Sequence, residues 1–450
     1  MYFRQILHSD LGCASYVIAD QGEAAVVDPK WEIDEYIQLA VDARAEIRHV
    51  LETHNHADHV SGRRRLTAVT GGSAHVPAGP DRPGVREGDT VRVGDVELVA
   101  LATPGHRPEH VAYLVREEGA ARLLLSGDSL LVGDVARPDL AVHPEQGARA
   151  LWDTVRRLVA LGDDIEVWPA HVGGSLCASR SAGSATSSTI GQERRTNPLL
   201  SLGNAGAFID EVTRCVPARP PSVERVVSLN LRGAADPGPV GELDAGLLAR
   251  LVGERVCLLD VRDPESFDAG HVDGSINLPA GGRGLGTRAG WAVDRQEPIV
   301  LIAPSLDAGR SVAGLLLAAG VWNLAGLSVA DPAAWTDAGL SLKTSGAVPP
   351  DRVVPSITSR ALKLIDVRDP TEWSTGHIAG SRSLPLSELG DGRDPGLALE
   401  PPIAVVCASG VRAALAASII RRRGHHPVWR VSGGVAQLAR CGAPTVREPS

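Results

Sequence analysis

Thr53-His54-Asn55-His56-Ala57-Asp58-His59 decides how the first half of this 450-residue chain is read. Three imidazoles and a carboxylate fall between His54 and His59. Neutral imidazole is the commonest transition-metal ligand, so this density points to a bound ion rather than to solvated polar groups. His54 and His56 alternate, and an extended segment carries alternate side chains on one side. Asp58 and His59 can then turn toward the same cavity. The apolar stretch 49–51 leads into the loop as a strand. Further along, three groups each stand at a turn after an apolar strand: His106 in Thr103-Pro-Gly-His106, Asp128 in Leu125-Ser-Gly-Asp128, and His171 in Trp168-Pro-Ala-His171. Singly each reads as a turn residue. Behind the histidine-rich loop, in this order, they complete a ligand set.

The surrounding pattern predicts a hairpin over 16–19 and 24–27, a helix over 33–43, strands at 91–93, 96–101, 111–115 and 122–125, and a helix over 147–161. Strands and helices in mixed order predict a layered α/β domain. Residues 175–189, rich in Ser, Ala and Gly, are expected to form a surface loop. Linkers are expected at 233–240 and 344–351.

After the first linker the sequence repeats. Leu258-Leu-Asp-Val-Arg-Asp-Pro-Glu and Gly270-His-Val-Asp-Gly-Ser return as Leu364-Ile-Asp-Val-Arg-Asp-Pro-Thr and Gly376-His-Ile-Ala-Gly-Ser, offset by 366 − 260 = 106 residues. An offset of that size is a duplicated small domain, not a solenoid repeat. In the second copy a strand ends in Cys407, followed by Ala-Ser-Gly-Val-Arg412 and an Ala-rich helix. Loop and helix-terminal N–H groups, with the Arg412 guanidinium, would cradle an anion and lower the thiol pKa. The first copy has Ile302-Ala-Pro-Ser-Leu-Asp-Ala-Gly-Arg310 there, without a cysteine, and Cys257 lies in a strand, where it is expected to pack in the core.

Composition narrows the classes. A net charge of −9 argues against nucleic acid as the main partner, and the basic runs at 63–65 and 421–423 read as solvated helix faces. Six cysteines without a Cys-x-x-Cys pair fit neither a disulfide framework nor a zinc ribbon. The N-terminus lacks the apolar core of a signal peptide and the longest apolar run is too short to span a bilayer, so no membrane and a reducing cytoplasm are expected.

The His-x-His-x-Asp-His loop with the later His, Asp and His resembles the metallo-β-lactamase superfamily, over residues 1 to about 232. The resemblance implies an αββα sandwich with metal at the strand ends. Within it the chain is most similar to persulfide dioxygenases, which implies one Fe(2+) on His54, His106 and Asp128, and Arg137 near the thiol-bearing substrate. His56, Asp58, His59 and His171 would then surround the ligands. In a two-zinc site they would help hold the second ion, giving a glyoxalase II-like thioester hydrolase. Cys-x-x-Gly-x-Arg behind Asp-Val-Arg and Gly-His-Ile-x-Gly-Ser resembles the rhodanese family, over 351–446, with a silent copy over 241–345. This implies that Cys407 carries sulfane sulfur, with Asp366, Arg368 and His377 framing the site. Together the resemblances imply oxidation of a low-molecular-weight thiol persulfide by O2, with sulfite passed on to thiosulfate in sulfide detoxification. A sulfurtransferase with a merely substrate-binding first domain is the further alternative, and the oligomeric state, a homo-oligomer included, stays open. Arg107 departs from the family pattern and is expected to face solvent, the alternative being that it draws an anionic substrate toward the metal. Cys177 is either a sulfur acceptor or an ordinary loop thiol.

Overall fold

The computed structural model describes residues 1–8, 10–172, 185–214, 216, 218–233, 236–282, 284–293, 297–359, 361–390, 396–397 and 402–447. The chain divides into two compact units, Met1–Asp236 and Pro237–Ser450. No helix among the described residues is long and apolar enough to cross a membrane.

In the first unit one sheet runs Tyr2–His8, Cys13–Asp20, Glu23–Val27, Glu46–Leu51, Ser73–His75. The other runs Ser188–Thr189, Glu166–Pro169, Ala120–Gly127, Val111–Glu117, Val96–Ala102, Thr90–Val93. Alternation along each strand decides which residues meet. Ala14, Tyr16 and Ile18 join Val93, Leu98, Tyr113 and Leu125 in the apolar layer between the sheets. Their neighbours Val17 and Ala19 point outward, onto Tyr36 and Ala40 of helix Asp34–Asp42 and Leu66 of helix Arg63–Thr70. On the opposite side Ala112, Leu114 and Leu124 pack on Leu158 of helix Pro144–Leu158. Helices therefore cover both outer faces, the αββα sandwich expected from the motif.

Local departures have local causes. The helix expected over 147–161 starts at Pro144, whose fixed φ suits a first turn, and ends at Leu158. The expected loop 175–189 ends instead in strand Ser188–Thr189, paired with Glu166 and Val167, and its part up to 184 lies outside the described residues. Thr189 then caps helix Ile190–Thr196 by accepting from the Gln192 amide at 3.1 Å. Helices Ala205–Arg214 and Val223–Arg232 escape the periodicity reading. The first packs Phe208, Ile209 and Val212 on Ala148, Leu151 and Val155.

In the second unit two antiparallel two-stranded pairs, His271–Val272 with Leu342–Lys343 and His377–Ile378 with Thr445–Val446, stand beside two larger sheets, and both larger sheets are parallel. One is ordered Ile276–Asn277, Cys257–Asp260, Ile299–Ala303, Leu324–Val329. The other is ordered Ala347–Val348, Val428–Val431, Ile403–Val406, Lys363–Asp366, Arg382–Ser383. Parallel strands are covered on both faces, so Ile299–Ala303 and Ile403–Val406 are buried throughout. Both copies contribute to one apolar cluster, with Leu259, Leu301 and Leu316 alongside Val405, Leu415 and Ile419.

Candidate metal centre and transfer cysteine

Every sequence-predicted ligand of the first unit follows the carboxyl end of a strand. His54 follows Glu46–Leu51, His106 follows Val96–Ala102, Asp128 follows Ala120–Gly127, and His171 follows Glu166–Pro169. His54 Nε2 lies 3.7 Å and His106 Nε2 3.5 Å from Asp128 Oδ2. All three atoms are buried and none has a hydrogen-bond partner. Buried polar atoms are nearly always satisfied, so three orphans converging on one point fit a metal ion.

The other ring nitrogens fix the tautomers. His106 Nδ1 donates to the Arg137 carbonyl at 2.8 Å, leaving Nε2 with its lone pair free. Thr53 Oγ1 donates to Asp28 Oδ2 at 2.8 Å, so it accepts from His54 Nδ1 at 2.9 Å and frees Nε2 likewise. His110 accepts at Nε2 from the Asp128 amide at 2.8 Å, donates from Nδ1 to Thr103 Oγ1 at 2.7 Å, and stacks on His54 at 5.0 Å. A Cβ on Gly127 would sit 2.5 Å from His110 Nε2, and φ there is +54°, so only glycine fits before Asp128.

Charge follows the same pattern. Burial lowers His54 well below the ordinary imidazole range, helped by neighbouring imidazoles, and it lowers His106 as well. Burial also takes His110 down to about 3. Burial would raise the Asp128 carboxyl, but His171 and His106 hold it at about 2. A carboxylate among neutral imidazoles is the protonation state a cation needs.

The remaining residues form a second layer of polar contacts. His171 spans two carboxylates, Nδ1 to Asp128 Oδ1 at 2.6 Å and Nε2 to Asp58 Oδ2 at 2.8 Å, so both its nitrogens are engaged. Asp58 Oδ2 also accepts from Cys13 Sγ at 2.9 Å and lies 3.1 Å from His59 Nδ1. Burial first, then the Asp58 charge, keeps the Cys13 thiol well above its ordinary pKa. His56 Nε2 sits between Asp28 Oδ1 at 3.1 Å and Glu52 Oε2 at 3.0 Å, and these outweigh burial to hold His56 well above the usual range. His56 Nδ1, Asp58 Oδ1 and His59 Nε2 are also buried without hydrogen-bond partners, and the three residues can offer atoms to one ion.

Sequence reading missed Cys13, Asp28, Glu52, His110 and Asn230. Asn230 donates to the His56 and His59 carbonyls at 3.1 and 2.8 Å and accepts from the Ser61 amide at 2.9 Å, pinning the loop from helix Val223–Arg232. Arg137 is fully buried in a two-pronged pair with Asp139, both bonds 2.7 Å. Arg107, expected to face solvent, is instead only 8% exposed. The cause is Glu109, whose Oε1 accepts from Arg107 Nε at 2.7 Å. Cys177 and Cys215 lie outside the described residues.

In the second unit Cys407 is buried at the end of strand Ile403–Val406, with Ala408 and Ser409 exposed beside it. The Gly410 amide donates to Cys407 Sγ at 3.0 Å, and Gly410, at φ +98°, opens helix Val411–Arg422. Arg412, expected in the anion cradle, spends its fork on Glu372 at 2.6 and 2.9 Å, with Asp369 at 3.1 Å. The Gly410 amide is the donor placed on the sulfur, while Arg412 stays close enough for the Cys407 charge to act on it. Asp366 takes the Arg368 guanidinium in a two-pronged pair that also reaches the Gly376 carbonyl, and Asp260, Arg262 and Gly270 repeat this in the first copy. Cys257 packs fully buried in its strand.

The comparisons agree with this geometry. The model of the metallo-beta-lactamase superfamily matches residues 8–77 and 63–171, and the rhodanese-like domain model matches 244–328 and 352–441. A hydroxyacylglutathione hydrolase of Rhodospirillum rubrum is 35% identical over 158 residues, which are 33% of this chain but only 57% of that protein, under two thirds of its length. The mitochondrial persulfide dioxygenase ETHE1 of Mus musculus is 28% identical over 239 residues, 51% of this chain and 87% of that one. A solved metallo-beta-lactamase structure from Staphylococcus aureus superposes with a TM-score of 0.65 at 30% identity, covering 73% of this chain and 99% of that chain. With its ligand loop, sandwich and duplicated parallel-sheet copies in place, the chain belongs to the metallo-β-lactamase superfamily and carries two rhodanese-like domains.

Proposed function

We propose that the first unit is a persulfide dioxygenase using one ferrous ion on His54, His106 and Asp128, and that Cys407 transfers sulfane sulfur. The observation that carries the reading is the set of three buried, converging donors on His54, His106 and Asp128. Three convergent atoms are unpaired, whereas His171 and Asp58 Oδ2 are tied to each other and to Cys13. Two imidazoles and one carboxylate on one face leave positions for further ligands. Ferrous iron, when bound, supplies redox chemistry toward O2 and an open position for sulfur. Overall, RSSH, O2 and water give RSH, sulfite and two protons. His171 orients the coordinating carboxylate and stores a proton between Asp58 and Asp128. At Cys407 the thiolate attacks the outer sulfur of a persulfide, forming an S–S bond and releasing the thiol. Sulfite then takes that sulfur as thiosulfate and returns the thiolate.

The unpaired atoms of His56, Asp58 and His59 favour a second reading, a two-zinc thioester hydrolase. The metal content and O2 uptake of the wild type separate the two, and His54→Ala tests the ligand assignment. We expect it to abolish persulfide-dependent O2 uptake and iron content together, and Cys407→Ser to leave uptake intact. O2 uptake retained in His54→Ala, or zinc-dependent thioester hydrolysis in the wild type without any uptake, contradicts the proposal.

A further inference from the structure

Strand Val428–Val431 runs beside Ile403–Val406 and leaves through Ser432-Gly433-Gly434 into helix Val435–Arg440. Val435 packs with Val406, Val431 and Leu438, and this apolar cluster seats the helix start against the strand ends. There the Val435 amide donates to the Cys407 carbonyl at 3.0 Å. Gly434 lies against the next carbonyl. A Cβ on it would overlap the Ala408 oxygen and stand 2.9 Å from that of Cys407, although its φ of −123° suits any residue. Close approach, rather than backbone freedom, is what demands glycine there. In a trans peptide the C=O and the N–H that follows it point in opposite directions. With the Cys407 and Ala408 carbonyls turned toward residues 434 and 435, the Ala408 and Ser409 amides therefore aim the other way. Neither amide has an acceptor among the described residues, and both residues are exposed. The Gly410 amide, next along, is the one on Cys407 Sγ.

The first copy lacks this support. Ala303 ends the strand that matches the one before Cys407, yet its carbonyl accepts from the Ala330 amide at 2.9 Å, ahead of the next helix. That helix, Pro332–Asp337, begins with a proline, which has no N–H to give, behind Asp331 as its cap. The copy without the cysteine is thus also without the helix-start amide and the glycine. We propose that Gly434 and Val435 are positioning residues for Cys407, holding the back of its loop so that the Ala408, Ser409 and Gly410 amides converge on a sulfur-borne anion. The proposal deepens the sulfur-transfer reading and rests on it for the identity of the nucleophile.

The test compares full-length variants by the alkylation of Cys407, followed by mass spectrometry of the peptide that carries it. Iodoacetate is an anion and iodoacetamide is neutral, and both react with the thiolate, forming an S–C bond and releasing iodide. Their rate ratio therefore reads the loop amides and cancels the thiolate fraction. Val435→Pro removes the amide with little else, because proline suits the first helical position and the extended Gly434 suits the residue before it. Val435→Ala keeps the amide and trims the side chain. We expect the iodoacetate-to-iodoacetamide ratio to fall about ten-fold in Val435→Pro and in Gly434→Ala, the effect of one hydrogen bond to a charged group. It should stay close to wild type in Val435→Ala, and transfer of sulfur from persulfide to sulfite should follow the same order. An unchanged ratio in folded Val435→Pro and Gly434→Ala overturns the proposal, as does an equal fall in Val435→Ala. So does a wild-type Cys407 that neither reagent modifies, or whose ratio is no higher than that of glutathione, since the amides then gather no anion. Should one of the two variants lose its cooperative melt, the other carries the test. Loss of the fold in both means that the contact serves stability, and the proposal fails. Wild-type protein that shows the ratio and its fall yet makes no thiosulfate sinks sulfur transfer and leaves the positioning standing.

Discussion

The two rhodanese-like copies share a frame and differ at one helix start. Each buries an Asp–Arg pair closed on a glycine carbonyl, and each stacks an aromatic ring on the following histidine, Phe267 on His271 at 3.8 Å and Trp373 on His377 at 3.6 Å. At the strand-to-helix turn they part. In the second copy Gly410 begins the helix without a side-chain cap, and its amide points at Cys407 Sγ. In the first copy Ser305 caps its own helix, accepting from the Ala308 amide at 3.3 Å. The Ser305 hydroxyl thus occupies one of the helix-start amides that an anion would otherwise use. The frame is common to both copies, and under the proposed sulfur transfer the chemistry would reside in a few residues of one loop.

The largest effect should come from Cys407→Ser, which we expect to lower thiosulfate formation more than about a thousand-fold, since a hydroxyl cannot carry the sulfane sulfur. Cys257→Ser should leave transfer within about two-fold. Loss of transfer there would break the division of labour between the copies.

Next in size, Asp260→Asn and Asp366→Asn should each cost about 3 kcal/mol, read from urea midpoints, because each strands a buried arginine. Comparable losses sharpen the claim that this pair serves the fold in both copies. A loss confined to the second copy would tie Asp366 to chemistry instead.

The metal domain supplies a pH contrast. His110 is held at about 3, against 6.5 for a free imidazole. Between those values the unfolded chain binds a proton that the folded one does not, so stability falls as pH is lowered, by about 1.4 kcal/mol per pH unit. Metal-free His110→Gln should show a shallower decline between pH 6 and 4 in denaturant titrations. An unchanged slope contradicts a buried neutral His110. The smallest effect belongs to Ser305→Ala, about 1 kcal/mol of stability with sulfur transfer unaffected.

What was legible in the sequence was what is local. The ligand loop, the strand-end His and Asp residues and the 106-residue repeat are short patterns with one physical reading, and they carried the sandwich and the duplicated copies. Residues joined only by the fold stayed hidden. Asn230 reaches a loop 171 positions away, and Cys13 meets Asp58 45 positions away. Neither differs in its neighbourhood from an ordinary helix asparagine or a strand cysteine. Arg107 reads as solvent-facing because its partner, Glu109, stands two residues away in a turn whose direction the sequence does not state. The spacing of Arg412 points to the cradle but does not show that Glu372, 40 residues earlier, takes its fork while its charge still acts on Cys407.

Counting metal ions per chain in anaerobically purified protein, alongside O2 uptake on adding a thiol persulfide, addresses the coordination claim directly. The account predicts one iron per chain and uptake that disappears when the iron is chelated. Two zinc ions per chain in a protein that leaves O2 untouched would contradict it.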